Sequence, residues 1–354
     1  MSPPERVKLA VLGCGWIAGN RLRQIGPLGL AEIVALADPD SRAIDAVRRW
    51  APRARCAHGV EDLVRRDVQA VMVSTPSALH SAQAVALLEQ GLPVFVQKPL
   101  GVSGREVRKV LEAAGRAGVP LGTDLCYRHL RSARAARAAL TEDSIGEVFL
   151  VEAAFHNAYR PGAGWSHEPA LAGGGALMDL GIHLLDLVMW LTGSPLLLNR
   201  TTLRRRGRPW KEDGIEDFAA LDLECAGGMP VRIVTSWDAS TGRDAEIGLR
   251  IYGERGNIEI SNRDGSFFDF DARLCRGTRV EPLASDDGDA WQAGPLAEWL
   301  GEVARRQGFE RPLWVEEPMK IIDQAYALGR QQGGVESTAA GGTVHVLGRK
   351  GVVP

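Results

Sequence analysis

A glycine-rich turn close to the start of the chain restricts its fold more than any other feature. The apolar run Val7 to Leu12 reads as a buried strand, and it leads into Gly13-Cys14-Gly15-Trp16-Ile17-Ala18, a GxGxxA pattern that opens a predicted helix. Glycines here allow a tight turn and let backbone N–H groups and the helix dipole approach a pyrophosphate. The pattern predicts a dinucleotide-binding βαβ unit, with a tight turn that binds no ligand as the alternative.

An acidic residue after the second predicted strand bears on which dinucleotide binds. Asp38 follows the strand Glu32 to Ala37, about 20 residues beyond the glycines, where a carboxylate accepts hydrogen bonds from the adenosine ribose. A carboxylate there repels the additional phosphate of NADP. Arg42, one turn into the next helix, keeps NADP possible, because a nearby arginine accommodates that phosphate. We therefore predict NAD as the cofactor, with NADP as the alternative.

Strands and helices alternate from residue 7 to about 125, which is typical of a doubly wound parallel sheet. Further strands of this sheet are predicted at Ala70 to Val73, Val94 to Val96 and Leu121 to Thr123. The helices between the strands are predicted at Trp16 to Ile25, Ser41 to Trp50, Ala78 to Gln90 and Gly104 to Ala117.

After Tyr127 the pattern changes to longer alternating segments, which predict a second, mostly antiparallel sheet with two helices, Gly175 to Leu191 and Glu317 to Gln332. The chain is thus predicted to be an α/β protein with an N-terminal Rossmann domain, residues 1–126, and a C-terminal α+β domain, residues 127–354. Strands of the second sheet are predicted at Glu147 to Phe155, Phe218 to Glu224, Val231 to Trp237, Gly248 to Tyr252 and Asn257 to Ser261.

Composition excludes several classes of partner. The formal net charge of the 354 residues is −2, which provides no field to attract nucleic acid or an anionic membrane. We find no apolar run of the roughly 18 residues that span a bilayer and no pattern of a signal peptide. The five cysteines are odd in number and form no CxxC, so neither a disulfide framework nor a thiolate zinc site is indicated. A cytoplasmic protein with a small-molecule substrate is expected.

Polar residues follow two of the parallel strands, at the sheet edge where such folds bind ligands. Ser74-Thr75-Pro76 follows one strand and Gln97-Lys98-Pro99 follows the next. We assign these residues up to Lys98 to the cofactor site, together with His80 in the following helix. Lys98 is also a catalytic candidate, because only six of the 42 basic residues are lysines and a desolvated lysine, unlike arginine, changes its pKa readily. A lysine that snorkels from a strand end is the alternative.

A second polar cluster lies in the apolar segment that begins with Gly173-Gly174-Gly175. Asp179, His183 and Asp186 are spaced i, i+4 and i+7, which places them on one face of a helix. His183 is suited to moving a proton near neutral pH, and Asp179 one turn earlier is expected to orient its ring. The alternatives are a buried histidine satisfied by its own aspartate and a zinc site with His156 and His167. No metal is predicted, because a fourth ligand and an HExxH spacing are lacking.

Aromatic and hydrogen-bonding residues between the two clusters suit a polyhydroxylated substrate. We assign Asp179 and His183 to substrate binding together with four of these residues, Tyr127, Arg128, His156 and Trp165.

Together these motifs resemble the glucose–fructose oxidoreductase, inositol dehydrogenase and MocA (Gfo/Idh/MocA) family of NAD(P)-dependent oxidoreductases, over nearly the whole chain. The resemblance implies catalytic roles for Lys98, Asp179 and His183, and assembly as homodimers or homotetramers through the C-terminal sheet. The implied reaction is hydride transfer between nicotinamide and a carbinol or keto carbon of a sugar, an inositol or a sugar derivative. The alternatives are a non-catalytic nucleotide-binding regulator and an NAD-dependent glycosidase of the same fold.

The chain departs from this family at one position beside the proposed catalytic lysine. The usual Glu-Lys-Pro is Gln97-Lys98-Pro99 here, so an amide stands where a carboxylate is usual. The sequence offers no interpretation of residues 334–354.

Overall fold

The structure is a computed structural model that describes residues 6–162, 164–212, 214–225, 227–286, 293–305 and 312–334. These residues form a six-stranded sheet and a nine-stranded sheet. The alternating α/β pattern and the second, mostly antiparallel sheet that the sequence predicts are confirmed. Residues 335–354, and with them nearly all of the C-terminal segment left without interpretation, lie outside the described residues.

The first sheet is entirely parallel, with strand order β3-β2-β1-β4-β5-β6. The order reverses between β1 and β4, and ligands of such sheets bind at that reversal, beyond the carboxyl ends of the strands. The strands are β1 Val7–Leu12, β2 Ala31–Ala37, β3 Arg55–Ala57, β4 Ala70–Val73, β5 Val94–Val96 and β6 Leu121–Thr123. The helices are α1 Trp16–Ile25, α2 Ser41–Arg48, α3 Val60–Leu63, α4 Ser77–Leu88 and α5 Gly104–Ala117.

The second sheet has the order β15-β14-β13-β12-β7-β11-β10-β8-β9, and within it only β7 and β11 pair in parallel. Four of its strands, β8, β9, β14 and β15, were not predicted. The strands are β7 Val148–Asn157, β8 Leu196–Arg205, β9 Arg208–Pro209, β10 Phe218–Cys225, β11 Pro230–Ser236, β12 Ala245–Gly253, β13 Gly256–Asn262, β14 Phe270–Arg276 and β15 Arg279–Ser285.

The helix predicted at Gly175 to Leu191 consists of two parts. A π-helical turn, Leu177–Gly181, precedes α8, Ile182–Thr192. The helical run Pro169–Thr192 is long and apolar enough to cross a membrane, so the prediction that the chain has no such run was wrong; 78% of its apolar window is buried within the protein. That burial is typical of a core helix. The remaining helices are α6 Arg131–Thr141, α7 Pro169–Ala172, α9 Gly294–Arg305 and α10 Glu316–Gly334, besides short 3₁₀ turns.

Helix α9 comes late in the chain but packs against the first sheet. Its Leu296, Trp299 and Leu300 are buried in the same apolar cluster as Leu9 of β1. The Trp299 ring lies 5.6 Å from the ring of Phe95 on β5, measured between centroids. A segment from beyond residue 127 thus covers part of the Rossmann sheet. The division at residue 126 stays a prediction.

Candidate active site

The glycine-rich turn is shaped by the close approach of two strand ends. Gly13 has a φ of +89°, and a Cβ atom at this position would lie 2.6 Å from the backbone carbonyl of Ser74. A residue with a side chain is therefore excluded here. Gly15 forms the N-terminus of α1 with no side-chain cap, and a Cβ there would meet nothing within 4 Å. The space and the free N–H groups fit a pyrophosphate.

The residues that follow Gly15 differ in exposure. Trp16 is 74% exposed, Ile17 is half-buried and Ala18 is fully buried against the sheet. A dinucleotide in the turn would therefore meet backbone and the outward face of Trp16, while Ala18 provides close packing between helix and sheet.

Asp38 ties the glycine turn to the end of β2. Its carboxylate accepts hydrogen bonds from the backbone N–H groups of Cys14, at 2.8 Å, and Asp40, at 2.9 Å. Each carboxylate oxygen has a further lone pair for a ribose hydroxyl. The side chain of Arg42 is 88% exposed and pairs with Asp40 at 3.1 Å, so it extends into solvent beside the crevice.

The Ser74-Thr75-Pro76 segment is fixed from below by His80. The ring nitrogens of His80 lie 2.7 Å from the carbonyl oxygens of Thr75 and Pro99. The side chain is 1% exposed, and burial lowers its pKa. His80 therefore holds the ends of β4 and β5 together, and its assignment to the cofactor site stays a prediction. The Ser74 hydroxyl is buried with no partner among the described residues, which fits a cofactor as its partner.

Lys98 and Asp179 form an ion pair across the crevice. The Lys98 ammonium donates to the carbonyl oxygen of Asp179, at 2.8 Å, and to its carboxylate oxygen Oδ1. Trp237 Nε1, at the end of β11, donates to the other oxygen, Oδ2, at 3.3 Å. The side chains of Lys98 and Asp179 are 21% and 34% exposed. The pair is thus fixed by the protein but open to a ligand.

His183 lies on α8. Its Nδ1 atom is buried without a hydrogen-bond partner in the described part of the chain, and its ring packs edge-on against Tyr127 with centroids 5.1 Å apart. Burial, followed by the positive charges of Lys98 and Arg21, holds its pKa well below the usual 6.5. The imidazole is therefore neutral at physiological pH.

The bond expected between Asp179 and His183 is not formed; Asp179 instead bonds Lys98 and Trp237. The reason is the π-turn Leu177–Gly181, which alters the angular offset that four residues have in a regular α-helix. The prediction that Asp179 orients the histidine ring was wrong.

Arg128 and Asp186 also serve the fold. Arg128 donates to both carboxylate oxygens of Asp186, and its guanidinium lies 3.6 Å from the centroid of the Trp314 ring. Asp186 is 1% exposed. The guanidinium is thus held by a carboxylate and a stacked indole, and the assignment of Arg128 to substrate binding stays a prediction.

The other predicted substrate residues differ in position. Tyr127 is buried, and its ring also contacts those of Phe155 and Phe270. His156 on β7 is half-buried and hydrogen-bonds the hydroxyl of Ser236, the residue before Trp237, at 2.7 Å. Trp165 is 43% exposed on the 3₁₀ turn Trp165–His167. The structure thus places Tyr127 against His183. It places His156 against Ser236, which precedes Trp237 in the chain. Among the described residues, no group of three or more metal-ligating side chains converges.

The glycine run before the π-turn is explained by Glu216 and Tyr326, which the sequence did not single out. The Glu216 carboxylate accepts from the N–H groups of Gly175, at 2.9 Å, and Leu177, at 3.0 Å, and from the Tyr326 hydroxyl, at 2.9 Å. A Cβ on Gly175 would lie 1.8 Å from the Glu216 carbonyl oxygen, and one on Gly174 would lie 2.1 Å from the Tyr326 hydroxyl. The glycines therefore let a buried carboxylate cap the segment that carries Asp179.

Comparison with known proteins assigns the family. A model of an oxidoreductase family with an NAD-binding Rossmann fold matches residues 7–125, and a model of the GFO/IDH/MocA C-terminal domain matches residues 133–259. The chain belongs to the Gfo/Idh/MocA family. The prediction from the sequence that this protein is an NAD(P)-dependent oxidoreductase is confirmed.

Individual relatives agree with this assignment. The 1,5-anhydro-D-fructose reductase of Ensifer adhaerens is 34% identical over 56% of this chain, but the match spans only 59% of that protein. An inositol 2-dehydrogenase of Gluconacetobacter diazotrophicus is 31% identical over 71% of this chain and 73% of its own length. The fold matches that of KijD10, a 3-ketoreductase from Actinomadura kijaniata crystallised with NADP and TDP-benzene, with a TM-score of 0.80 at 19% identity, covering 91% of this chain and 98% of that one.

Proposed function

We propose that this protein catalyses NAD-dependent oxidation of a carbinol carbon in a sugar, an inositol or a sugar derivative, or the reverse reduction. The observation that carries the proposal is the open Lys98–Asp179 ion pair beside the neutral imidazole of His183, at the edge of the cofactor crevice. The names of the matched relatives, an anhydrofructose reductase and an inositol dehydrogenase, support a polyhydroxylated substrate.

The three residues have distinct roles in this proposal. His183 accepts the proton of the substrate hydroxyl during oxidation and returns it during reduction, since a neutral imidazole has a free lone pair. Lys98 donates a hydrogen bond to the same oxygen and stabilises its developing negative charge. Asp179 holds the ammonium of Lys98 through its carboxylate and its carbonyl group. The nicotinamide, when bound, donates or accepts the hydride.

NAD is proposed as the preferred cofactor. Asp38 lies at the end of β2 with oxygens available to ribose hydroxyls, and its charge opposes an additional phosphate. Arg42, which pairs with Asp40, is the residue that would accommodate that phosphate if it turned inward.

The proposal extends to compartment and assembly. Five free cysteines support a cytoplasmic location, since a reducing compartment keeps thiols unpaired. Exposed apolar side chains on the second sheet, Phe149 and Leu197 among them, support a homodimer or homotetramer formed through that sheet. Light scattering of the purified protein tests the assembly.

The test of function is a substrate screen. Purified protein is incubated with NAD or NADP and a panel of sugars, nucleotide sugars and inositols, and reduced nicotinamide is followed by absorbance, with Lys98→Ala and His183→Ala as controls. Turnover that both substitutions abolish supports the proposal. Cofactor binding without turnover on any member would indicate a regulator, and glycoside cleavage without net cofactor reduction would indicate a glycosidase; either result contradicts it.

A further inference from the structure

A buried polar cluster, Arg21, Gln97 and Asp124, joins helix α1 to the ends of strands β5 and β6. Arg21 on α1 donates from Nε to Asp124 Oδ2, at 2.6 Å, and Gln97 Nε2 donates to the same oxygen, at 2.7 Å. Gln97 follows β5 and Asp124 follows β6. The three residues are only 5%, 6% and 1% exposed, in the order Arg21, Gln97, Asp124. The cluster is therefore buried inside the protein, and its donors leave Asp124 Oδ1 without a hydrogen-bond partner among the described residues.

The network explains the amide at position 97. Asp124 already supplies one buried carboxylate, and Arg21 supplies the charge that compensates it. A glutamate at position 97 would place a second carboxylate against Asp124, with one guanidinium to serve both. Two carboxylates in one buried site repel each other, so an amide, which donates, is the compatible partner.

The cluster also connects the two functional parts of the crevice. Arg21 lies on the helix whose N-terminus faces the pyrophosphate site, and Gln97 directly precedes Lys98. A shift of Asp124 would therefore move helix α1 relative to the strand end that carries the lysine. Since catalysis is sensitive to displacements of about 1 Å, such a network affects turnover as well as stability.

We propose that Asp124 is a positioning residue that supplies the carboxylate Gln97 lacks, and that the Arg21–Asp124–Gln97 network fixes the pyrophosphate-binding helix relative to Lys98. We expect the network to tolerate exchange of the carboxylate and the amide, because the side chains of Gln97 and Asp124 contact each other directly. The inference rests on the proposed function for its turnover readout alone.

A charge-swap cycle tests this. The proteins are the parent, Gln97→Glu, Asp124→Asn and the double variant, which exchanges amide and carboxylate and keeps the net charge. Each single substitution is expected to weaken NAD(P) binding and lower turnover by at least about tenfold in the folded protein, because it leaves a buried charge uncompensated. The double variant is expected to recover both to within about threefold of the parent, the signature of coupled residues.

Three measurements keep the outcome clear. Thermal unfolding without cofactor reports the fold, calorimetry reports cofactor affinity without substrate, and turnover reports positioning. Asp222→Asn, which breaks an exposed pair with Arg232, is the matched control and is expected to change none of them. If a single variant does not fold, recovery of the parent's unfolding midpoint and cofactor affinity by the double variant still supports the network.

A double variant no better than the worse single one, or a Gln97→Glu protein indistinguishable from the parent, would overturn the inference. Recovery of cofactor affinity without turnover on any polyol would leave the network supported and contradict the proposed substrate class instead.

Discussion

Two ion pairs, Lys98–Asp179 and Arg21–Asp124, lie at the same crevice and differ chiefly in how exposed they are to solvent. The side chains of Lys98 and Asp179 are 21% and 34% exposed, whereas the side chains of Arg21 and Asp124 are 6% and 1% exposed. Both pairs join elements distant in sequence, by 81 residues in the first case and 103 in the second. The open pair can exchange a protein contact for a ligand contact, but the closed pair cannot. The difference in exposure therefore favours a catalytic role for the Lys98–Asp179 pair and a positioning role for the Arg21–Asp124 pair, although the residue types are nearly the same.

The largest effect is expected from breaking the closed pair. Arg21→Met leaves the Asp124 carboxylate buried without a cation, which should cost about 3–5 kcal/mol of unfolding free energy. Lys98→Met removes an equivalent charge from the open pair and should cost about 1 kcal/mol or less, because water reaches the remaining carboxylate. Urea unfolding of both variants measures the difference. Equal losses would show that burial does not distinguish the two pairs.

Substitutions at Lys98 and at His183 should lower turnover more than they lower stability. Lys98→Ala and His183→Ala are each expected to lower turnover by about a hundredfold or more, because each removes a group that acts on the reacting oxygen. The double variant should lose far less than the product of the two effects, since the residues act together. Cofactor affinity, measured by calorimetry, should barely change. A His183→Ala protein that kept most of its activity would contradict the proton-transfer role.

How far the sequence predicted these features depends on the range of the interaction. The first sheet was predicted almost strand by strand, because its strands are short, apolar and bounded by turn residues. The short edge strand β3 was missed. In the second sheet β15 was missed because it is exposed along most of its length and its residues do not alternate regularly between apolar and polar.

The same limit applies to the site. The glycine turn, Lys98 and His183 were singled out from local context, but the residues that they contact in the structure were not predicted as their partners. Asp179 was paired with His183 by helical spacing, and only the π-turn and the fold direct it to Lys98. Asp124 was not singled out. It follows a parallel strand, as Gln97 does, so its position at the ligand-binding edge of the sheet was a signal that could have identified it. Trp237 and Glu216 carry no such local signal.

A third prediction concerns the adenosine end of the crevice, where Asp38 is held by backbone groups. Asp38→Ala should weaken NAD binding by about 1.5 to 3 kcal/mol, because ribose hydroxyls lose charged acceptors, and should spare or improve NADP binding. Arg42→Ala, which alters only an exposed pair, is the control and should leave NAD affinity unchanged. Calorimetry with both cofactors measures this. Equal losses for NAD and NADP would mean that Asp38 does not select between them.

The smallest effect concerns a buried carboxylate that, unlike Asp124, is held by neutral donors. Glu216 accepts from two backbone N–H groups and the Tyr326 hydroxyl, and burial raises its pKa from 4.5 to about 7. A raised pKa means that the folded protein binds this proton more tightly than the unfolded chain. The resulting stabilisation is complete below about pH 4.5 and is lost as the pH rises through about 7.

Between about pH 5.5 and pH 6.5 the parent should therefore lose about 1.2 kcal/mol more unfolding free energy than Glu216→Gln, which cannot titrate. Asp186, whose pKa burial raises to about 6, titrates in both proteins, so its contribution cancels in the comparison. Urea unfolding at the two pH values measures the difference. Parallel pH dependence of the two proteins would show that Glu216 stays ionised throughout, and that neutral donors alone keep a buried carboxylate ionised in this fold.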